Sequence, residues 1–182
     1  LELVFDVDAG IPSVLIGDEA KIRRVVNIIL ENAVKFTDTG GVYIHVGYRE
    51  ASYGINLNIQ IRDTGIGMSA AQLSQIYNQF YQADSGRDRR AGGLGLGLTI
   101  AHGLIHAMGG FMNIMSRPGK GTQVQISIPQ GVGDQSPCMA VCSPASLNVL
   151  CYFGLEQYTG EVREYYKNML KNFGKGLGLN IR

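Results

Sequence analysis

Ile55-Asn56-Leu57-Asn58-Ile59-Gln60-Ile61-Arg62-Asp63-Thr64-Gly65-Ile66-Gly67-Met68 is the stretch on which the reading of this chain turns. Ile55, Leu57, Ile59 and Ile61 point one way, and Asn56, Asn58, Gln60 and Arg62 the other, which predicts a strand with one face buried. The strand runs directly into Asp63-Thr64-Gly65-Ile66-Gly67. A carboxylate at a strand's end can accept a hydrogen bond from an exocyclic amine, and glycines let the backbone pass close to a flat ligand. By itself Asp-x-Gly-x-Gly is also an ordinary turn, so its meaning depends on its surroundings.

Upstream, Val42 to Tyr48 alternates in the same way, and Leu3 to Val7 reads as a first strand closed by Gly10-Ile11-Pro12. Between them Asp18 stands where a helix N-cap would. Ile22, Val25, Val26, Ile29, Leu30 and Ala33 then follow the spacing of one apolar helix stripe. Ile28, Asn32 and Lys35 form a second stripe at the side of it, and Thr37-Asp38-Thr39-Gly40-Gly41 ends the helix. Asn32 can offer a carbonyl oxygen to Mg²⁺, and Lys35 an ammonium to phosphate.

Downstream, Ser69 to Phe80 is a short helical stretch with Leu73, Ile76 and Phe80 as its apolar edge. Residues 83–93 are polar and charged, the pattern of a mobile loop. Gly93-Leu94-Gly95-Leu96-Gly97-Leu98 then opens a helix expected over Leu98 to Met108. Three alternating glycines at a helix start cost stability, whereas N–H groups left bare there bind phosphate. Phe111 to Ser116 and Thr122 to Ile128 form a hairpin around Pro118-Gly119-Lys120-Gly121, and Pro129 is expected to end the domain. The expected division is a domain over 1–130, a linker over 131–146 and a separate fragment over 147–182. That fragment reads as a strand, Leu147 to Phe153, and a helix, Glu161 to Phe173, with Val162, Tyr165, Tyr166, Met169, Leu170 and Phe173 as its stripe, and is either the start of a second α/β domain or an appendage packed on the first.

The 182 residues are 45% hydrophobic and 17% charged, the balance of a globular chain. Sixteen basic residues against fifteen acidic ones give +1, so no basic field holds nucleic acid or an anionic membrane by charge alone. No apolar run is long enough to span a membrane and no signal peptide is visible, which predicts no direct membrane contact. The non-Met start inside a strand-like pattern suggests a piece of a longer protein. Cys138, Cys142 and Cys151 are odd in number and clustered, which reads as free thiols. A P-loop is excluded because glycine intervenes in Gly119-Lys120-Gly121-Thr122, and Gly93 to Gly97 lacks the spacing of a dinucleotide fingerprint.

Taken in order, these segments resemble the boxes of the histidine-kinase ATP-binding domain, in the group that also holds gyrase B, the 90-kDa heat-shock chaperones and MutL. Glu31-Asn32-Ala33-Val34-Lys35-Phe36-Thr37 resembles the N box and Asp63-Thr64-Gly65-Ile66-Gly67-Met68 the G1 box. Ile76-Tyr77-Asn78-Gln79-Phe80-Tyr81-Gln82 resembles the F box, Gly93 to Ile100 the G2 box, and Gly119-Lys120-Gly121-Thr122 the last one. The resemblance implies an α/β fold of the Bergerat type: a two-layer sandwich whose mixed, mostly antiparallel sheet is covered on one face by helices. It implies ATP and Mg²⁺ as cofactors. Asp63 would bind the adenine amino group, helped by Thr122 and the Gly65 and Gly67 backbone. Asn32 would be the Mg²⁺ ligand and, with Lys35, the catalytic pair. Gly93, Gly95, Leu96, Gly97 and Leu98 would line the triphosphate. Residues 83–93 would be a lid from which Arg87, Arg89 or Arg90 reaches the γ-phosphate, pinned by Phe80 and Tyr81.

The implied activity is that of a sensor histidine kinase, simple or hybrid, in two-component signalling: transfer of the γ-phosphoryl to a His on a separate helical dimerisation domain, then to a response regulator or receiver domain. The implied place is cytoplasmic, in a parent that could be membrane-anchored. None of His45, His102 or His106 has the neighbours of the family's phosphoacceptor, so the acceptor is expected elsewhere. The fragment 147–182 weakly resembles the start of a degenerate receiver. One position departs from the family: its first N-box Asn falls on Ile28, while Asn27 is rotated by about 100° toward the stripe's edge. Ile28 cannot serve as the general base of a gyrase-like ATPase, which leaves kinase, impaired pseudokinase or scaffold, and ATPase as the three readings, in that order.

Overall fold

In a computed structural model, residues 1–76, 96–144, 147–151, 154–158 and 160–181 are described. The elements run β1 (Glu2–Val7), β2 (Pro12–Ile16), α1 (Glu19–Lys35), β3 (Gly41–Ala51), β4 (Gly54–Asp63), α2 (Ala70–Leu73), α3 (Gly97–Ala107), β5 (Phe111–Ser116), β6 (Thr122–Pro137), β7 (Asn148–Val149), a 3-10 turn (Leu155–Gln157), α4 (Gly160–Leu177) and β8 (Asn180–Ile181). The main sheet is ordered β1-β3-β4-β6-β2, with β5 on β6. Only β1 and β3 pair in parallel within it; the other pairs are antiparallel. The mixed, mostly antiparallel sheet expected from the sequence is therefore present.

Alternation decides which face of each strand is covered. Val42 and Ile44 of β3, Ile55 to Ile61 of β4, and Val124, Ile126 and Ile128 of β6 send their side chains into one core with Val25, Ile28, Ile29 and Ala33 of α1 and Ala101 and Ile105 of α3. Asp18 caps α1 as the sequence predicts, its Oδ1 accepting from the Lys21 amide at 3.0 Å. This two-layer arrangement carries every described candidate site residue.

Several expectations need correction. Pro129 does not end its strand: β6 continues to Pro137, and its second half pairs with β2 from Ile16↔Gly131 to Pro12↔Pro137. Residues 131–137 are thus strand, not linker. β2 itself escaped the sequence reading, because Pro12 hides a strand it is free to begin, where no ladder N–H is required. Within the helix expected from Ser69 to Phe80, the described residues form a single turn, Ala70–Leu73, opened by a capping box between Ser69 and Gln72, and residues 77–80 lie outside the described residues. Within the strand expected over 147–153, Asn148–Val149 pair in parallel with Asn180–Ile181 on the far side of α4, and residues 152 and 153 lie outside the described residues.

α4 adds a helix to the other face of the sheet. Val162 and Tyr165 bury against Val4 and Tyr43, with Tyr158, Tyr166 and Met169 around them. The Tyr43 and Tyr165 rings stack with centroids 5.0 Å apart. Beneath them lies buried Asp6, which accepts hydrogen bonds from the Tyr43 hydroxyl and, at 2.6 Å, from Asn172 Nδ2; His45 Nδ1 stands 3.2 Å from the same oxygen. A buried carboxylate needs such partners, and α4 supplies one of them.

Candidate functional site

Asp63 ends β4, and its carboxylate is buried to 7% exposure. Its Oδ1 accepts from the Gly65 amide at 2.8 Å and from the Thr122 amide at 3.1 Å. Oδ2 takes part in neither bond. Burial pushes the Asp63 carboxyl up from the ordinary carboxylate range, against the two amides and Arg62, which favour the charged form. The side chain is thus held in one orientation by main chain on both sides.

The glycines explain how those two loops come so close. Gly121 adopts φ +77° and Gly67 φ +64°, both in the left-handed region. A Cβ on Gly121 would collide with the Asp63 carbonyl, and one on Gly67 with the Arg117 carbonyl. The space so kept is crossed by bonds: Gly119 N–H donates to Ile66 O at 2.7 Å, and Met68 N–H to Ser116 Oγ at 2.8 Å. Ser116 Oγ lies 3.0 Å from Thr122 Oγ1 and donates to Gly121 O at 2.9 Å. On the other side, Ile66 N–H donates to Phe36 O at 3.1 Å, which ties this loop to the end of α1. Thr37, buried and with no hydrogen-bond partner for its hydroxyl among the described residues, lies against Gly65.

Asn32 and Lys35 lie in the last turns of α1, both half-buried, with the Lys35 ammonium 4.8 Å from the Phe36 ring centroid. Ile28, one turn before Asn32, is buried, and a Cβ on Gly97 would sit 3.2 Å from its Cγ2. The position thus packs against the start of α3 and offers no donor. Asn27 does not replace it: it is exposed beside Arg23 and Arg24, away from the buried stripe, which corrects the orientation expected for it. Leu96 caps α3 without a side-chain bond, and Gly97 and Leu98 form its first turn. Phe80, Arg89, Arg90, Gly93 and Gly95, with the other expected lid residues from 83 to 93, lie outside the described residues.

Asp63, Gly65, Gly67 and Thr122 are therefore brought into one hydrogen-bonded unit, with α1 joined to it through Phe36. Sequence reasoning missed Ser116, Thr64 and the Phe36 carbonyl. Ser116 was recoverable, since hairpin register sets it directly across from Thr122. Among the described residues no group of three or more His, Cys, Asp or Glu could hold a metal ion. His102 and His106 are exposed on α3, and the three cysteines are free.

A family model described as histidine kinase-, DNA gyrase B- and HSP90-like ATPase matches residues 17–132. The chain belongs to this family. Among curated proteins it is similar to the sensor histidine kinase RcsC of Escherichia coli K12, 37% identical over 123 residues, which are 68% of this chain and 12% of that protein. It is likewise similar to the signal transduction histidine-protein kinase BarA of the same organism, 37% identical over 67% of this chain and 13% of that one. The autoinducer 2 sensor kinase/phosphatase LuxQ of Vibrio cholerae is 36% identical over 71% of this chain and 15% of its own length. The chain thus spans a small fraction of these relatives.

Two solved structures share the fold. Full-length ShkA in complex with AMPPNP superposes with a TM-score of 0.64 at 27% identity, over 82% of this chain and 29% of that one. The mycobacterial sensor histidine kinase MprB gives 0.56 at 25% identity, over 71% of this chain and 85% of that one. The matched residues form an ATP-binding catalytic domain of the sensor histidine kinase type. The family match ends at residue 132, inside β6, so α4 lies beyond it. No helix among the described residues is long and apolar enough to cross a membrane.

Proposed function

We propose that this ATPase-family domain binds ATP with the adenine amino group on Asp63 Oδ2, and that in its parent protein it passes the γ-phosphoryl to a histidine of a separate helical dimerisation domain. The observation that carries this reading is the division of labour on Asp63: Oδ1 is occupied by the Gly65 and Thr122 amides, and Oδ2 is in neither bond. A neutral amine donor satisfies a buried carboxylate oxygen held in this way. Leu96, Gly97 and Leu98 would present main-chain N–H groups to phosphate at the start of α3, and Lys35 would add charge from α1. Gly93 and Gly95 would extend that cradle, while Phe80, Arg89 and Arg90 would act from the lid.

For Mg²⁺, the described residues offer the Asn32 amide oxygen. That donor fits an ion carried in by the triphosphate with most of its water, the usual habit of Mg²⁺. Bound there, the ion would neutralise phosphate charge. In the transfer, the acceptor imidazole nitrogen bonds to the γ-phosphorus as the bond to the β-bridging oxygen breaks and ADP leaves. The phosphoryl group would then pass to a response regulator or receiver domain. On this reading the domain works in the cytoplasm, where ATP is available. The βαβ arrangement of β7, α4 and β8 supports residues 147–182 as the opening of a receiver-like unit.

Calorimetric titration with ADP and ATP, in Mg²⁺ and in EDTA, tests the site. Asp63→Asn is expected to abolish measurable binding, and Asn32→Ala to remove the difference between Mg²⁺ and EDTA while leaving ADP bound. Binding unaffected by Asp63→Asn would sink the reading. The burial of Ile28 against Gly97 favours one alternative, a nucleotide-binding scaffold without transfer. Phosphotransfer to a supplied acceptor hairpin decides between the two.

A further inference from the structure

The first turn of α4 stands directly behind the Asp63 loop. Val162, 1% exposed, packs on Gly41, where an added Cβ would lie 3.0 Å from Val162 Cγ2. Gly41 is in turn locked to Thr64: its N–H donates to Thr64 Oγ1 at 3.0 Å, and its carbonyl accepts from the Thr64 N–H at 3.1 Å. Thr64 Oγ1 also donates to Thr39 O at 3.3 Å, and Gly40 approaches so closely that a Cβ there would collide with the hydroxyl. Thr64 is the residue between Asp63 and Gly65, both ends of the carboxylate–amide bond described above. One residue earlier in β4, Arg62 lies 5.7 Å from the Tyr165 ring centroid, and its Nη2 lies 4.0 Å from Glu161 Oε1. Both chain neighbours of Asp63 are therefore held from the α4 side of the sheet.

We propose that Thr64 is a positioning residue for nucleotide binding, and that α4, docked through Val162, Glu161 and Tyr165, backs it, so that nucleotide occupancy and α4 docking are coupled. The inference rests on the adenine reading of Asp63 and extends it to a helix beyond the family match. None of the expected nucleotide-binding residues lies in α4. Its effect passes through Gly41 to Thr64 and through Arg62 to β4, fixing the angle at which the Asp63 carboxylate is presented. Because coupling between two sites is reciprocal, a ligand that prefers the seated loop must also favour the docked helix.

The full chain tests this in two ways. Thr64→Val keeps the shape and removes the hydroxyl; ADP affinity by calorimetry is expected to fall about tenfold, within the usual range of such couplings. Thr64→Ser, which restores the hydroxyl, should return it. A purely structural role would lower the unfolding temperature of Thr64→Val and leave the affinity of the folded protein unchanged. The second measurement needs no variant: saturating ADP should slow amide exchange across 162–177 in the wild-type chain, and Asp63→Asn should remove that protection. Val162→Ala should weaken ADP binding in the same direction as Thr64→Val. Wild-type affinity in Thr64→Val together with ADP-independent exchange in α4 would overturn the proposal while leaving the adenine site standing. Failure of the wild-type chain to bind ADP at all would overturn both.

Discussion

Ile61 and Arg62 are consecutive on β4, yet their side chains enter different environments. Ile61 joins a core of Ile, Val, Leu and Ala side chains shared by six elements, in which any one residue has many apolar neighbours. Arg62 faces a small cluster in which rings, a carboxylate, an imidazole and a guanidinium meet one helix. The first face gains from area removed from water, which is non-directional and tolerates exchange of shape. The second depends on a few directional contacts, each with one partner. A face of the first kind sets the fold; one of the second kind can be undone without unfolding the sheet, and that is what a regulated contact requires.

The largest expected effect separates the two faces. Ile61→Ala should cost about 2–5 kcal/mol of global stability, read as a shift of the urea midpoint by every probe at once. Tyr165→Ala should release α4 amides to exchange while the β4 amides keep most of their protection. Equal global shifts for the two would erase the distinction. Next in size, ADP affinity should fall as pH is lowered through the raised Asp63 value, because a proton on Oδ2 removes the acceptor. The fall should begin at higher pH than for an ordinary carboxylate.

The same group predicts a smaller effect of opposite sense on stability. A carboxyl whose folded value is raised holds its proton more tightly when folded, so its contribution to stability falls as pH rises above the unfolded value of 3.8. Asp63→Asn should therefore lose less stability than wild type over that rise, seen in thermal melts across the acid range. The smallest effect belongs to the back face. Burial and the Glu2 carboxylate push Tyr166 up to about 12, and burial also raises Tyr43 and Tyr165. These phenols stay protonated when folded, so docking of α4 should weaken only above the ordinary tyrosine value of about 10. An ultraviolet titration of the nine tyrosines should show a late-ionising group that Val162→Ala makes earlier.

What the sequence revealed follows the same division. Alternation in β3, β4 and β6 and the stripe of α1 were readable, because burial against one apolar layer imposes a period. Asp63, Gly65, Gly67 and Thr122 were legible as a set because tight approach demands glycine and recognition demands a carboxylate at a strand end. β2 and the second half of β6 were not legible: the glycines at 131 and 133 and the proline at 12 look like loop residues until the two strands pair. The stripe that Tyr165 shares with Val162 was readable in α4, but the surface it covers was not, since Val4 and Tyr43 meet it only when the chain folds back. Thr64 looked like filler between two motif residues, and only its bonds to Gly41 and Thr39 give it a task.

The Asn172–Asp6 hydrogen bond joins residues 166 positions apart. Contacts of such long sequence separation form late, because their loop must close before they contribute. A ribosome adding about 5–20 residues per second needs about 2–8 s to extend the chain from Pro137, the last residue of β6, to Leu177, the last of α4. For those seconds Asp6 and Tyr43 face water, or whichever chaperone attends the nascent chain, and the first closed layer is the one between the sheet and α1. Assembly order alone thus gives the back of the sheet an interval of exposure that its front never has.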